Sequence, residues 1–125
     1  MTQETPYKKE SLGRPAKFLL PANKILDPKI REKIRNFLLE NFGGYTETSS
    51  GVFIGCWKNK ENISYDAHVE FRISFLGKER IPVLEQFLAK LARELDEECI
   101  YLETGEDAWL IYALKHNVSP AWSID

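Results

Sequence analysis

The stretch Asp66-Ala67-His68-Val69-Glu70-Phe71-Arg72-Ile73-Ser74-Phe75 decides the fold. Ala67, Val69, Phe71, Ile73 and Phe75 alternate with His68, Glu70, Arg72 and Ser74. Successive side chains of a strand point to opposite faces, so this period puts apolar groups on one side and polar groups on the other. Strands covered on both faces read instead as continuous apolar runs. The stretch therefore predicts a largely antiparallel sheet with one face on a core and the other open.

Immediately before it, residues 45–58 form a second β-branched and aromatic run. It is separated from residues 64–76 by Asn59-Lys60-Glu61-Asn62, a polar cluster of turn-forming types, and the two runs read as a hairpin. A helix is predicted on each side of this hairpin. Asp27-Pro28 pairs a capping side chain with a ring already set at the helical φ. Ile30, Ile34, Phe37, Leu38 and Phe42 then recur at three- and four-residue spacing until Gly43-Gly44 stops the helix. From Pro82 onward Leu84, Phe87, Leu88, Leu91 and Leu95 repeat the same spacing.

Outward again, residues 16–20 read as a first strand ended by Pro21, residues 99–103 as a fourth, and residues 108–113 as a fifth after the turn Thr104-Gly105-Glu106-Asp107. The order strand, helix, strand, strand, helix, strand predicts an α+β fold, a ferredoxin-like two-layer sandwich with an extra C-terminal strand. Residues 1–15 read as an N-terminal arm, 16–114 as one domain and 115–125 as a C-terminal tail.

A chain of 125 residues, 43% hydrophobic and 29% charged, has the composition of one folded domain. Its net charge of -2 supplies no field that would hold a phosphate backbone, so nucleic acid is not the expected partner. The helix face carrying Lys29, Arg31, Lys33 and Arg35 is basic, but a solvated face is the commoner reason for such charges. The element order is also that of RNA-recognition domains. Here, however, the third strand turns its aromatics toward the core and a carboxylate outward, which argues against RNA. No apolar run approaches the roughly 20 residues of a membrane-spanning helix. Cys56 and Cys99, with no leader ahead of them, point to free thiols in a cytoplasmic compartment.

The candidate site is the open sheet face, where the alternation places His68, Glu70 and Arg72 beside Tyr101 and Glu103. An imidazole, two carboxylates, a guanidinium and a phenol suit the orientation of a polar ligand or the movement of protons. Cross-strand ion pairing is the plainer reading of the same residues. Trp57 is added as an aromatic anchor. If the face is catalytic, His68 or Glu70 is the base and Arg72 stabilises an anionic intermediate.

No CxxC or HxxxH spacing announces a metal, and no GxGxxG or Walker pattern announces a nucleotide, so no cofactor is expected. Bulky groups beside charges on an open face fit a second copy of the chain, and a homodimer is the expected partner. The functional expectation is a small binding or regulatory module for a polar ligand or a protein. An acid-base enzyme on the same face is the alternative.

Overall fold

A computed structural model describes residues 6–48, 53–75 and 77–114. Its elements are β1 (Arg14–Pro21), α1 (Pro28–Phe42), β2 (Thr46–Glu47), β3 (Phe53–Asn59), β4 (Asn62–Phe75), α2 (Ile81–Glu94), β5 (Cys99–Thr104) and β6 (Asp107–Tyr112). A 3-10 turn, Lys78–Arg80, leads into α2. The strands make one sheet ordered β2-β4-β1-β5-β6, with β3 also on β4, and every described pairing is antiparallel. The fold is thus α+β, with a mostly antiparallel sheet and two helices.

The alternation of residues 66–75 sorts the faces as its period requires. Phe71 and Ile73 are buried with Phe18 and Leu20 of β1, Ile100 and Leu102 of β5, Ile34 and Leu38 of α1, and Leu84, Leu88 and Leu91 of α2, in a single cluster. Both helices therefore cover one sheet face. The rings of Phe18 and Phe71 stack at 5.3 Å on the central strands, and Phe37 of α1 stacks on Phe87 of α2 at 3.8 Å. Further along β4, Ile63 and Tyr65 share the parity of Phe71 yet are exposed, so the core ends before the hairpin tip.

Two element boundaries differ from the sequence reading. The run 45–58 is not one strand: Thr46–Glu47 pairs with Phe71 and Arg72, whereas Phe53–Asn59 pairs with residues 62–68, so both flank β4 at different heights. Strand β1 begins at Arg14, ahead of the expected residue 16, because Arg14 and Pro15 continue the ladder opposite Phe75 and Ser74. Pro15 lacks a donor, but its carbonyl accepts from the Gly105 amide at 3.1 Å. A proline near the start of a strand is tolerated for this reason. Residues 115–125 of the expected tail lie outside the described residues.

Helix α1 starts and stops as its sequence dictates. The Asp27 side chain accepts from the Lys29 amide at 2.9 Å, and Gly43, at φ 81°, donates its amide to the Leu39 carbonyl at 3.0 Å. A side chain in this left-handed conformation costs about 1–2 kcal/mol. Gly43→Ala is therefore expected to lower the unfolding free energy by about that amount. Gly44→Ala, where an added methyl meets nothing within 4 Å and φ is ordinary, is expected to be near neutral. Paired urea melts measure the difference. Equal midpoints for the two variants would contradict this account of the helix end.

Candidate functional site

On the face away from the helices, the pairing register lines up Thr46, Arg72, Lys17, Glu103 and Ala108 in one row across five strands. Directly paired residues share a face, so Arg72, Lys17 and Glu103 stand side by side. Lys17 Nζ lies 3.6 Å from Glu103 Oε1. Glu103 Oε2 accepts from the Tyr101 hydroxyl at 2.8 Å. This hydrogen bond, reinforced by burial and by the carboxylate charge, holds the Tyr101 phenol above its ordinary pKa. Donation to a carboxylate requires the neutral phenol, so the contact is intact at neutral pH and is lost on the alkaline side as the phenol ionises.

One rung along β4, Glu70 is buried, with its side chain only 8% exposed against 65% for Arg72. Arg72 Nε donates to Glu70 Oε2. The Glu70 backbone is fixed on its other edge by Thr48, whose hydroxyl accepts from the Glu70 amide at 3.2 Å and whose amide donates to the Glu70 carbonyl at 3.1 Å. A buried carboxylate is tolerated when a guanidinium meets it. The effect is to aim Arg72 from the sheet.

These residues open into a groove of about 1300 Å³ at the end of the sheet, where β1 begins and β4 and β5 finish. Its floor includes Lys17, Arg72 and Glu103. Phe42, Gly43, Gly44 and Tyr45 form one bank, and Glu10, Ser11 and Leu12 approach from the N-terminal segment. Arg80 Nη2 donates to the Asn41 carbonyl at 2.6 Å, and its guanidinium sits 5.4 Å over the Phe42 ring. That contact ties the end of α1 to the start of α2 and fixes the bank. A small ligand with apolar and doubly charged parts fits such a lining.

The expected site residues divide accordingly. Arg72 and Glu103 line the groove, Tyr101 holds Glu103, and Glu70 holds Arg72. His68 is buried, pairs through its backbone with Phe53 and Pro21, and does not line the groove. Trp57 pairs through its backbone with Ser64 near the hairpin tip, and its side chain lies outside the described residues. Sequence reasoning did not single out Lys17, Tyr45 or Arg80. Lys17 was legible in principle, because it alternates with the buried Ala16 and Phe18 and so faces with Arg72.

Two of the four bases on the basic face of α1 are paired within the molecule. Arg31 pairs with Glu47 at 2.8 Å and Lys33 with Glu94. Burial, with Glu98 and Glu97 nearby, pushes the Cys99 thiol up, which disfavours a nucleophilic thiolate. Among the described residues no group of three or more histidines, cysteines or carboxylates is placed to hold a metal ion, and no helix is long and apolar enough to cross a membrane.

The sequence matches no family model and no curated protein. Solved structures with this fold include a phage SAM lyase in the apo state, with a TM-score of 0.62 at 14% identity over 90% of this chain and 100% of that one. They also include a phage SAM lyase in complex with S-methyl-5'-thioadenosine, with a TM-score of 0.56 at 12% identity over 88% of this chain and 97% of that one. At these identities the likeness is one of fold.

Proposed function

We propose that this chain binds S-adenosylmethionine and cleaves it as a lyase, releasing S-methyl-5'-thioadenosine. The observation that carries the reading is the fold correspondence over the full length of a structure described as a SAM lyase, together with a groove whose chemistry suits the substrate. S-adenosylmethionine joins an aromatic nucleoside, a sulfonium and a zwitterionic amino acid. The groove offers aromatic and apolar walls at Phe42, Tyr45 and Leu12, and both signs of charge at Lys17, Arg72 and Glu103.

In the lyase reaction the substrate's own carboxylate attacks its γ-carbon and closes a lactone while the γ-carbon–sulfur bond breaks, and the electron pair of that bond goes to sulfur and discharges the sulfonium. Positive charge is lost at sulfur in the transition state, so walls that exclude water favour the reaction there. The task of the chain is then to hold the amino acid end by its charges and to keep the sulfur dry. No phosphate cradle is required, since this substrate carries no phosphate.

The earlier expectation of a polar-ligand module is absorbed into this reading. The strand order supports a ferredoxin-like core with β6 as an added edge strand. The exposed Leu110 and Tyr112, which the register puts on the open face with Tyr101 and Cys99, support a homodimer packed through that face. Free thiols at Cys56 and Cys99 are in keeping with a cytoplasmic setting.

Thioadenosine binding tests the reading without turnover. A ligand that binds only the folded state stabilises it by about 2.7 kcal/mol at a concentration of 100 Kd. Saturating S-methyl-5'-thioadenosine is expected to raise the melting temperature by several degrees, and adenosine monophosphate is not. No shift with the thioether nucleoside at millimolar concentration would overturn the reading.

A further inference from the structure

We infer that Lys17 and Arg72 together receive the α-carboxylate of the ligand's amino acid end, and that Glu103 receives its ammonium. This inference rests on the adenosyl-ligand reading above and deepens it by assigning an end of the groove to each end of the ligand.

Lys17 is the cross-strand partner of both Arg72 and Glu103, so two cations and one anion occupy adjacent places in a single row. Two like charges directly opposite each other on neighbouring strands repel, and such an arrangement is unfavourable unless an anion lies between or beside them. Glu70 answers Arg72 from the buried side, and Glu103 answers Lys17 only in part. Its contact with Lys17 is 3.6 Å, longer than a good charge-assisted hydrogen bond, and its other oxygen is engaged by Tyr101.

Arg72 is presented rather than consumed. Its contact with Glu70 uses Nε, and the guanidinium carries four further N–H donors on its two terminal nitrogens. A planar fork of this kind matches a carboxylate. Glu70 acts through Arg72 as a positioning residue, since its own side chain is buried. The Lys17 and Glu103 side chains, 40% and 33% exposed, are accessible enough to meet a ligand and sheltered enough for charge to count.

An α-amino acid places a carboxylate and an ammonium one carbon apart, and the row Arg72, Lys17, Glu103 places complementary charges in the same sequence. Phe42, Tyr45 and the Gly43-Gly44 turn then fall to the nucleoside end.

Two probes separate the ends of the ligand. S-adenosylhomocysteine carries the amino acid and is not a sulfonium, whereas S-methyl-5'-thioadenosine lacks the amino acid altogether. Calorimetric titration of Lys17→Met is expected to show S-adenosylhomocysteine binding weakened about ten-fold or more, as loss of a hydrogen bond to a charged group implies. Binding of S-methyl-5'-thioadenosine should stay within about two-fold of the parent, and Lys17→Arg should restore the first affinity.

Equal weakening of both probes, or of neither, in a chain that binds both would overturn the assignment while leaving the adenosyl reading intact. If the unaltered chain binds neither probe, the adenosyl reading falls and takes the assignment with it. Lys17→Arg keeps the charge of the side chain, so it also checks that any loss in Lys17→Met comes from the charge and not from the fold.

Discussion

Phe71→Ala is expected to lower the unfolding free energy by about 3–5 kcal/mol, the cost of deleting a large buried aromatic and leaving a cavity. Phe71 is 1% exposed on β4, a strand paired to β1, β2 and β3. Its ring lies parallel to Phe18 at 5.3 Å and tilted toward Tyr45 at 6.0 Å. Removing it therefore leaves one neighbour in the core and another on the bank of the groove without a contact. Native domains are stable by about 5–15 kcal/mol, so this single change takes a large share of the total. Urea unfolding followed by circular dichroism measures it. A loss below about 1 kcal/mol would show that this ring is not at the centre of the core.

Arg72→Ala is expected to reduce kcat/KM for S-adenosylmethionine about 100-fold and to lower stability as well. Two effects add. The variant removes the fork offered to the ligand, and it strips the buried Glu70 carboxylate of its described partner. Hydrogen bonds to charged groups contribute about 1.5–3 kcal/mol each, and each 1.4 kcal/mol is ten-fold in rate or affinity. The double variant Arg72→Ala, Glu70→Ala separates the two. It is expected to recover stability lost to the stranded carboxylate but not activity. Recovery of activity in the double variant would contradict the role given to Arg72.

Much of the fold was legible because it is written in periodicity. The alternation through residues 66–75 assigned Phe71 and Ile73 to the core and Arg72 to the open face. The spacing of Ile34 with Leu38, and of Leu84 with Leu88 and Leu91, gave the two helices that cover that core. Period also misled. It implied an open, wet face for His68 and Glu70, whereas both are buried. The split of the run 45–58 into β2 and β3 carries no period of its own and was invisible for that reason.

The groove is the feature that a linear reading is least able to show. Its walls come from the N-terminal segment, the end of α1, the turn before α2 and the ends of β1, β4 and β5. Arg72 and Glu103 were reachable through alternation, since each needs only its own strand to be oriented. Tyr45 and Arg80 join the site through loop paths and through the contact of Arg80 with Asn41, which no local pattern encodes. A search for phosphate-binding glycines also looks past this kind of ligand, because a sulfonium nucleoside is recognised by stacking surfaces and paired charges.

The most direct measurement is to incubate the purified chain with S-adenosylmethionine and follow the products by mass spectrometry. The expected products are S-methyl-5'-thioadenosine and a four-carbon amino acid product one water lighter than homoserine, formed faster than in buffer alone and about 100-fold more slowly by Arg72→Ala. Homoserine as the initial product would show that water attacks and that the chain is a hydrolase. Unchanged S-adenosylmethionine would contradict the central claim.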